Sequence, residues 1–130
     1  METSKRGIDL TIMPGIFAVC RFESSTPIPD WALQSGFYSI SKSDEELSIV
    51  CSQEFMPSGA RAELGWKCFK VMGPLDFALT GILSSLVGPL ARSGISIFAI
   101  STFDTDYILV KEFNLDRAIA ALKEEGHRIR

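Results

Sequence analysis

Histidine is nearly absent from this sequence, and several kinds of catalytic site are excluded with it. The chain of 130 residues has one histidine, His127, and three cysteines, Cys20, Cys51 and Cys68. One histidine and dispersed cysteines do not supply metal ligands at the usual spacings, and no CxxC pair is present. A nucleophilic serine or cysteine would depend on His127, which stands in a charged C-terminal segment. We therefore expect no metal site, no nucleophilic enzyme and three buried free thiols.

Motifs that bind cofactors are missing as well. The sequence contains no GxGxxG and no GxxxxGK[ST] loop, so it lacks the usual means of binding a dinucleotide or a nucleotide phosphate. Asp104 and Asp106 form a close carboxylate pair at a turn, without the apolar surroundings of a general acid. We expect no cofactor and no catalytic residues.

Long apolar runs and a basic stripe are also lacking. The net charge is −3, and lysine and arginine are scattered, so nucleic acid is not an expected partner. No stretch is long and apolar enough to span a bilayer, and residues 1–9 lack the apolar core of a signal peptide. These patterns predict a cytoplasmic protein with no membrane partner.

The residues that are present indicate a folded α+β protein, with 46% hydrophobic and 22% charged residues. The N-terminal half has short apolar runs separated by turns, which predict strands at Gly15–Phe22, Phe37–Ile40 and Leu47–Ser52. Asp30–Gln34 is typical of a single helical turn capped by Asp30. The N-terminal half therefore reads as a strand-rich unit with little helix.

The C-terminal half has a clearer periodicity. The pattern predicts a strand, a helix, two strands of a hairpin, and a second helix capped by Asn114: Trp66–Met72, Thr80–Ser93, Ile95–Ser101, Asp106–Lys111 and Leu115–Glu125. The residues His127–Arg130 form either a final strand or a frayed tail. This order is a split βαβ pattern, in which helices cover one face of an antiparallel sheet.

Two details of that half carry their own expectations. Pro89 lies inside the first predicted helix, so we expect a kink near Val87–Pro89 or a helix that restarts there. Ile82, Leu83, Leu86, Val87, Leu90 and Ala91 form its predicted core face. Nearly every position of Ile95–Ser101 is apolar, which predicts a strand buried on both faces.

The C-terminal half also resembles a known family. The phrases VMGPLDFALTGI (71–82), VGPLARSGISIFAISTFDTD (87–106) and YILVK (107–111) resemble the small ACT-domain proteins related to the regulatory domain of aspartate kinase. They are similar as well to the CASTOR arginine sensors. The resemblance covers Trp66–His127 well and Gly15–Gln53 weakly, where it depends on LSIVC (47–51). It implies a ferredoxin-like ACT fold with two ACT-like units, at residues 1–65 (degenerate) and 66–130. It also implies a homodimer and an amino-acid ligand bound between units.

An α-amino acid needs donors for its carboxylate, an acceptor for its ammonium and a wall for its side chain. The start of a helix offers unpaired N–H groups, and acidic residues at a strand turn offer acceptors. The resemblance matches Gly81 and Ile82 to the helix-start site of the family, and Thr102, Phe103 and Asp106 to its strand-turn site. The predicted ligand-binding residues are Thr80, Gly81, Ile82, Ser84, Thr102, Phe103, Asp104 and Asp106.

Other interpretations of these residues stay open at this point. The arginine sensors carry an acidic residue just before the Gly-Ile step, where this chain has Ala78-Leu79-Thr80, so the ligand is not identified. Gly81 could relieve crowding between helix and sheet, and Asp104 and Asp106 could shape the turn. Phe103 could be a core or interface aromatic. The functions that compete are an amino-acid-sensing regulatory protein, a ligand-free ACT-fold dimerisation or docking module, and a small enzyme of unrecognised type.

Overall fold

A computed structural model describes residues 7–73 and 81–130, which divide into two compact units treated separately below. The central unit is Gly15–Trp66, and the terminal unit comprises the described residues of Met1–Pro14 and Lys67–Arg130. The strands are β1 (Asp9–Ile12), β2 (Phe17–Phe22), β3 (Ser39–Lys42), β4 (Leu47–Ser52), β5 (Ala62–Val71), β6 (Ile97–Ser101), β7 (Asp106–Lys111) and β8 (Arg128–Ile129). The helices are α1 (Ile82–Arg92) and α2 (Leu115–Glu124), with short 3₁₀ turns at Asp30–Gln34, Gln53–Phe55 and Glu112–Asn114.

The central unit is a sheet in the order β3-β4-β2 followed by the first half of β5. The side chains that alternate toward one face form its core: Ala18 and Cys20 from β2, Leu47, Ile49 and Cys51 from β4, and Ala32 from a 3₁₀ turn. The strand predicted at Leu47–Ser52 is confirmed, while β3 begins two residues later than predicted. Asp30 does not cap its turn, because it is the first residue of the turn and Pro29 occupies the cap position.

The terminal unit is a sheet in the order β8-β1-β5-β7-β6. Strand β1, which the sequence pattern did not predict, lies between β5 and β8. It is antiparallel to β5, where Leu10 pairs with Val71, and parallel to β8, where Leu10 pairs with Ile129. The sheet is therefore mixed where a wholly antiparallel sheet was predicted, because the inserted strand runs in the same direction as β8.

Helices α1 and α2 pack on one face of the sheet in the terminal unit. Their buried residues join the apolar side chains of the strands in one core: Leu86, Leu90, Ala118, Ala121 and Leu122 with Leu10, Phe69, Val71, Ile108 and Val110. The predicted α+β class is confirmed.

Ala91, a predicted core residue, is exposed, and Pro89 is buried in its place. Asn114 holds the cap position of α2, but its Oδ1 accepts from Arg117 Nη1 at 2.8 Å instead of capping the helix. Neither α-helix has the length and apolar content needed to cross a bilayer, as judged on the described residues.

The helix does not restart at Pro89, which was one of the two alternatives expected there, because α1 continues through it as one helix. Proline has no N–H to donate to the carbonyl four residues earlier, which belongs to Ser85. The Nε2 of His127 lies 3.0 Å from that Ser85 oxygen, and the Nδ1 of His127 accepts from the Ile8 N–H at 3.1 Å. These partners require a neutral imidazole with its hydrogen on Nε2. His127 is 5% exposed and precedes β8, so the chain ends in a strand and not in a frayed tail.

Strand β6 is not buried on both faces, contrary to the prediction. It pairs only with β7 among the described strands, and Ala99 and Ser101 are exposed. The apolar run was misleading because β6 lies at the edge of the described sheet, where its residues are only partly buried or exposed.

The prediction of buried free thiols is confirmed for Cys20, Cys51 and Cys68. Burial raises the pKa of the Cys68 thiol to about 12. A hydrogen bond with Cys51, together with burial, raises the pKa of Cys20.

Candidate functional site

The turn between β6 and β7 is closed by two threonines. The Thr102 N–H donates to the Thr105 carbonyl at 2.8 Å, and its hydroxyl donates to the same oxygen at 3.0 Å. The Thr105 N–H donates back to the Thr102 hydroxyl at 3.3 Å. The Thr105 side chain is 6% exposed, and its hydroxyl donates to the Val71 carbonyl at 2.7 Å. The turn is therefore held against the end of β5 by a buried hydrogen bond.

A cavity of about 350 Å³ lies beside this turn, within the terminal unit. The described residues that line it are Lys70, Gly73, Thr102, Asp104, Thr105 and Tyr107. Phe69 and Val71 face the helices, so Lys70 between them points to the opposite face of the sheet. Tyr107 shares that face, because the next residue of β7, Ile108, belongs to the helix-side core.

The cavity carries two opposite charges that do not neutralise each other. Within residues 7–73 and 81–130, neither the Lys70 ammonium nor the Asp104 carboxylate takes part in a salt bridge. An unpaired cation and an unpaired anion in one cavity suit a ligand that itself carries both charges. An α-amino acid at neutral pH is such a ligand. We call this feature the Lys70–Asp104 cavity.

The turn does not depend on its acidic residues. The side-chain hydrogen bonds that shape it come from Thr102 and Thr105, while Asp104 and Asp106 make none in the described structure. The interpretation of both aspartates as turn formers is therefore not supported. Asp104 remains available to a ligand.

The strand-turn residues predicted from sequence separate into two groups. Thr102 and Asp104 line the cavity. Phe103 is 76% exposed and Asp106 begins β7 opposite Ser101, and neither is among the described lining residues. The exposure of Phe103 argues against its interpretation as a core aromatic.

The helix-start residues lie elsewhere or outside the described structure. Thr80 falls outside the described residues. Gly81 occupies the cap position of α1 with φ of 81°, and a Cβ built there would meet no atom of the described residues within 4 Å. The glycine is thus needed for its left-handed backbone and not to relieve crowding. Ile82 packs against the core, Ser84 is exposed, and none of these three described residues lines the cavity.

Four lining residues were missed by sequence reasoning: Lys70, Gly73, Thr105 and Tyr107. A signal for Lys70 existed, because WKCFKVM (66–72) alternates apolar and basic residues and so indicates which face Lys70 occupies. The split βαβ order also makes β5 and β7 neighbours. Together, the alternation and the strand order would have placed Lys70 and Tyr107 on the same face of the sheet.

Hydrogen bonds occupy the cations near the turn between β3 and β4 in the central unit. There the Arg21 Nη2 donates to the Glu45 carbonyl at 3.0 Å, and the Lys42 ammonium donates to the Ser24 hydroxyl at 3.2 Å. The Ser24 hydroxyl in turn donates to the Ser43 carbonyl at 2.9 Å. The cations near this turn are therefore occupied, unlike Lys70.

A second cavity, of about 400 Å³, lies elsewhere in the central unit. Its described lining is Gly15, Ile16, Ser52, Gln53 and Glu54. Glu54 is the one charged side chain in that described lining, and the Oε1 of Gln53 accepts from the Gly65 N–H at 2.8 Å. This cavity has no pair of opposite charges to match a zwitterion.

Comparison with models of protein families agrees with the α+β fold and identifies the family. The family model of the ACT domain matches residues 61–124, and a model of an N-terminal domain matches residues 15–59. The chain belongs to the ACT-domain proteins. The ACT match covers α1, α2 and the strands from β5 to β7. The matched range also contains every described lining residue of the Lys70–Asp104 cavity.

Among curated relatives, this ACT-domain protein is similar to the "Cytosolic arginine sensor for mTORC1 subunit 1". It is 33% identical to the protein of Homo sapiens over 112 residues, which is 79% of this chain and 33% of the relative. It is 35% identical to the protein of Mus musculus over 102 residues, which is 76% of this chain and 30% of the relative. The chain therefore spans about a third of the length of these relatives.

Solved structures extend the comparison. Protein Atu0741 from Agrobacterium tumefaciens is 42% identical with a TM-score of 0.91, covering 96% of this chain and 93% of that one. The regulatory subunit of aspartate kinase from Thermus thermophilus is 9% identical with a TM-score of 0.64, covering 90% and 97%. The second likeness is one of fold alone, and it relates this ACT fold to the regulatory part of aspartate kinase.

Proposed function

We propose that this ACT-domain protein is a non-catalytic regulatory protein that binds an α-amino acid, or a similar small zwitterion, in the Lys70–Asp104 cavity. The ligand carboxylate contacts the Lys70 ammonium, and the ligand ammonium contacts the Asp104 carboxylate. The observation that carries the proposal is that these two charges share one cavity and have no partner among the described residues.

Two further observations support the proposal. Thr105 fixes the turn that bears Asp104 to the end of β5, so the two charged walls keep their spacing before a ligand arrives. The curated relatives carry a name that describes an arginine sensor, which relates this family to the binding of an amino acid. That name also describes a cytosolic protein, in agreement with the predicted cytoplasmic location.

A screen of the twenty amino acids by thermal shift tests the proposal. A ligand that binds only the folded protein raises the free energy of unfolding by RT ln(1 + [L]/Kd), which is about 2.7 kcal/mol at a concentration of 100 Kd. A rise in Tm with at least one amino acid is expected. No shift with any of them at millimolar concentration would contradict the proposal.

Variants then test the site with the ligand found. Lys70→Met and Asp104→Asn are each expected to weaken binding about tenfold, because each removes a charge-assisted hydrogen bond. Asp106→Asn tests the other acidic residue predicted from sequence. Lys123→Met, on the exposed face of α2, is the matched control and should leave affinity unchanged.

The edge of the terminal unit supports a second proposal, that two copies of the chain form a homodimer. Strand β6 pairs only with β7 among the described strands, and its sequence IFAIS contains no proline or charge to discourage pairing. Light scattering should give twice the monomer mass of 14.3 kDa. Ala99→Lys should shift the protein toward monomer, whereas Ala120→Lys on α2 should not. A dimer that binds no amino acid would favour the alternative function, a ligand-free dimerisation or docking module acting on a partner enzyme.

We also propose that the central unit, Gly15–Trp66, is the degenerate ACT-like unit that was predicted at residues 1–65. The bounds differ from that prediction, because the described residues of Met1–Pro14 belong to the terminal unit. Its strands lie in the order fourth, first, third, second, counted as β2, β3, β4 and the first half of β5. The terminal unit has the same order when β5 to β8 are counted, with β1 added between the fourth and first. In the central unit, 3₁₀ turns at Asp30–Gln34 and Gln53–Phe55 stand where the terminal unit has helices.

A further inference from the structure

The charges of the Lys70–Asp104 cavity also bear on which ligands it accepts. Among the described lining residues, Lys70 is the one cation and Asp104 the one anion. We infer, on the basis of the proposed function, that the cavity selects α-amino acids with uncharged side chains. Arginine, lysine, aspartate and glutamate are then the poor ligands.

The first reason is that the two charges of the cavity are both used by the zwitterionic part of the ligand. A third charge, on the ligand side chain, has no counter-charge left among the described lining residues. Moving a charge out of water without a partner is unfavourable.

The second reason is that the hydroxyls of the turn cannot replace a counter-charge. A threonine hydroxyl has one hydrogen to donate. Thr102 donates it to the Thr105 carbonyl at 3.0 Å, and Thr105 donates it to the Val71 carbonyl at 2.7 Å. Neither hydrogen is left for a side-chain carboxylate of a ligand.

The third reason is the wall that remains for the side chain. Besides the two charged residues and the two threonines, the described lining consists of Gly73 and Tyr107. The tyrosine ring offers an apolar surface with one polar end. Such a wall suits a neutral side chain and offers no full charge to an ionised one.

Isothermal calorimetry with the twenty amino acids and with L-citrulline tests the inference. Citrulline has nearly the shape of arginine without its charge, and glutamine stands in the same relation to glutamate. We expect the tightest ligand to have an uncharged side chain, with citrulline at least tenfold tighter than arginine and glutamine at least tenfold tighter than glutamate. An ionised amino acid as the tightest ligand, or arginine equal to citrulline, would overturn the inference and leave the proposed function intact. Binding by none of these compounds would overturn both.

A variant that removes one charge of the cavity tests the same inference independently. Lys70→Met leaves Asp104 as the one charge in the described lining, so the ratio of arginine affinity to citrulline affinity should rise about tenfold. The control Lys123→Met should leave that ratio unchanged. An unchanged ratio in Lys70→Met would show that charge in this cavity does not select the ligand.

Discussion

The contact between His127 and the helix carbonyl opposite Pro89 can be tested by a double-mutant cycle. His127→Leu removes the acceptor of the Ile8 N–H and the donor to the Ser85 carbonyl. Pro89→Ala introduces an N–H that can donate to the Ser85 carbonyl within the helix. The structure predicts that the histidine matters less once that N–H is present.

The magnitudes follow from which polar groups lose a partner. A buried donor or acceptor left without a hydrogen bond costs about 1–3 kcal/mol. Ile8 and Ser85 are only partly buried, so we take the lower part of that range for each. His127→Leu should then lower the free energy of unfolding by about 2–3 kcal/mol. In the Pro89→Ala background the Ser85 carbonyl regains a donor, and the loss should be about 1 kcal/mol smaller.

Urea denaturation followed by far-UV circular dichroism, which reports on α1 and α2 of the terminal unit, measures the four proteins of this cycle. Leu47→Ala provides the control for additivity, because Leu47 belongs to the other hydrophobic core and should show no coupling to Pro89→Ala. A cost of His127→Leu that is the same with proline or alanine at position 89 would refute the reasoning. The histidine would then stabilise the protein by packing alone.

Three further predictions concern the cavity turn, acid stability and the thiols. Thr105→Val should weaken binding of the ligand found in the screen about tenfold, measured by calorimetry, whereas Thr105→Ser keeps the hydroxyl and should retain the affinity. A hydrogen bond with Arg128, together with the charges of Arg128 and Arg130, lowers the pKa of Asp9. Its stabilising effect is therefore present above the unfolded pKa of 3.8 and is lost as pH falls through the folded value, so Asp9→Asn should reduce the acid dependence of unfolding in that range; an unchanged acid profile would contradict this. Because Cys20, Cys51 and Cys68 are buried, they should react with a thiol reagent far more slowly in the folded protein than in urea, and fast labelling of the folded protein would contradict their burial.

The elements of the terminal unit that could be predicted are those whose periodicity extends over several residues. Strand β7 was predicted to the residue and α2 to within one residue, because each buries a regular set of apolar side chains. Strand β1 was missed because only Leu10 among its four residues is fully buried, which leaves no alternating pattern. Its position depends on pairing with strands distant in sequence, which no local pattern records.

The candidate site was predictable only in part for the same reason. Asp104 and Thr102 stand in a turn that the sequence indicates directly. Lys70 reaches the same cavity through the pairing of β5 with β7, and the role of Thr105 depends on one tertiary hydrogen bond to Val71. The reason for Gly81 also needed backbone angles, because crowding and a left-handed φ both favour glycine.

The place of β1 has a consequence for the entropy of folding. Leu10 pairs with Val71, 61 positions later, and closing so long a loop from an open chain is costly. Within the central unit, however, Phe17 pairs with Trp66, so once that unit has formed it holds the two ends of the intervening chain side by side. The loop that β1 must then close is only some ten residues, and the logarithmic dependence on loop length makes the closure easier by about 1–2 kcal/mol. The folded central unit thereby shortens the loop that β1 must close, and the sheet beside the Lys70–Asp104 cavity forms most readily on a chain whose middle has already folded.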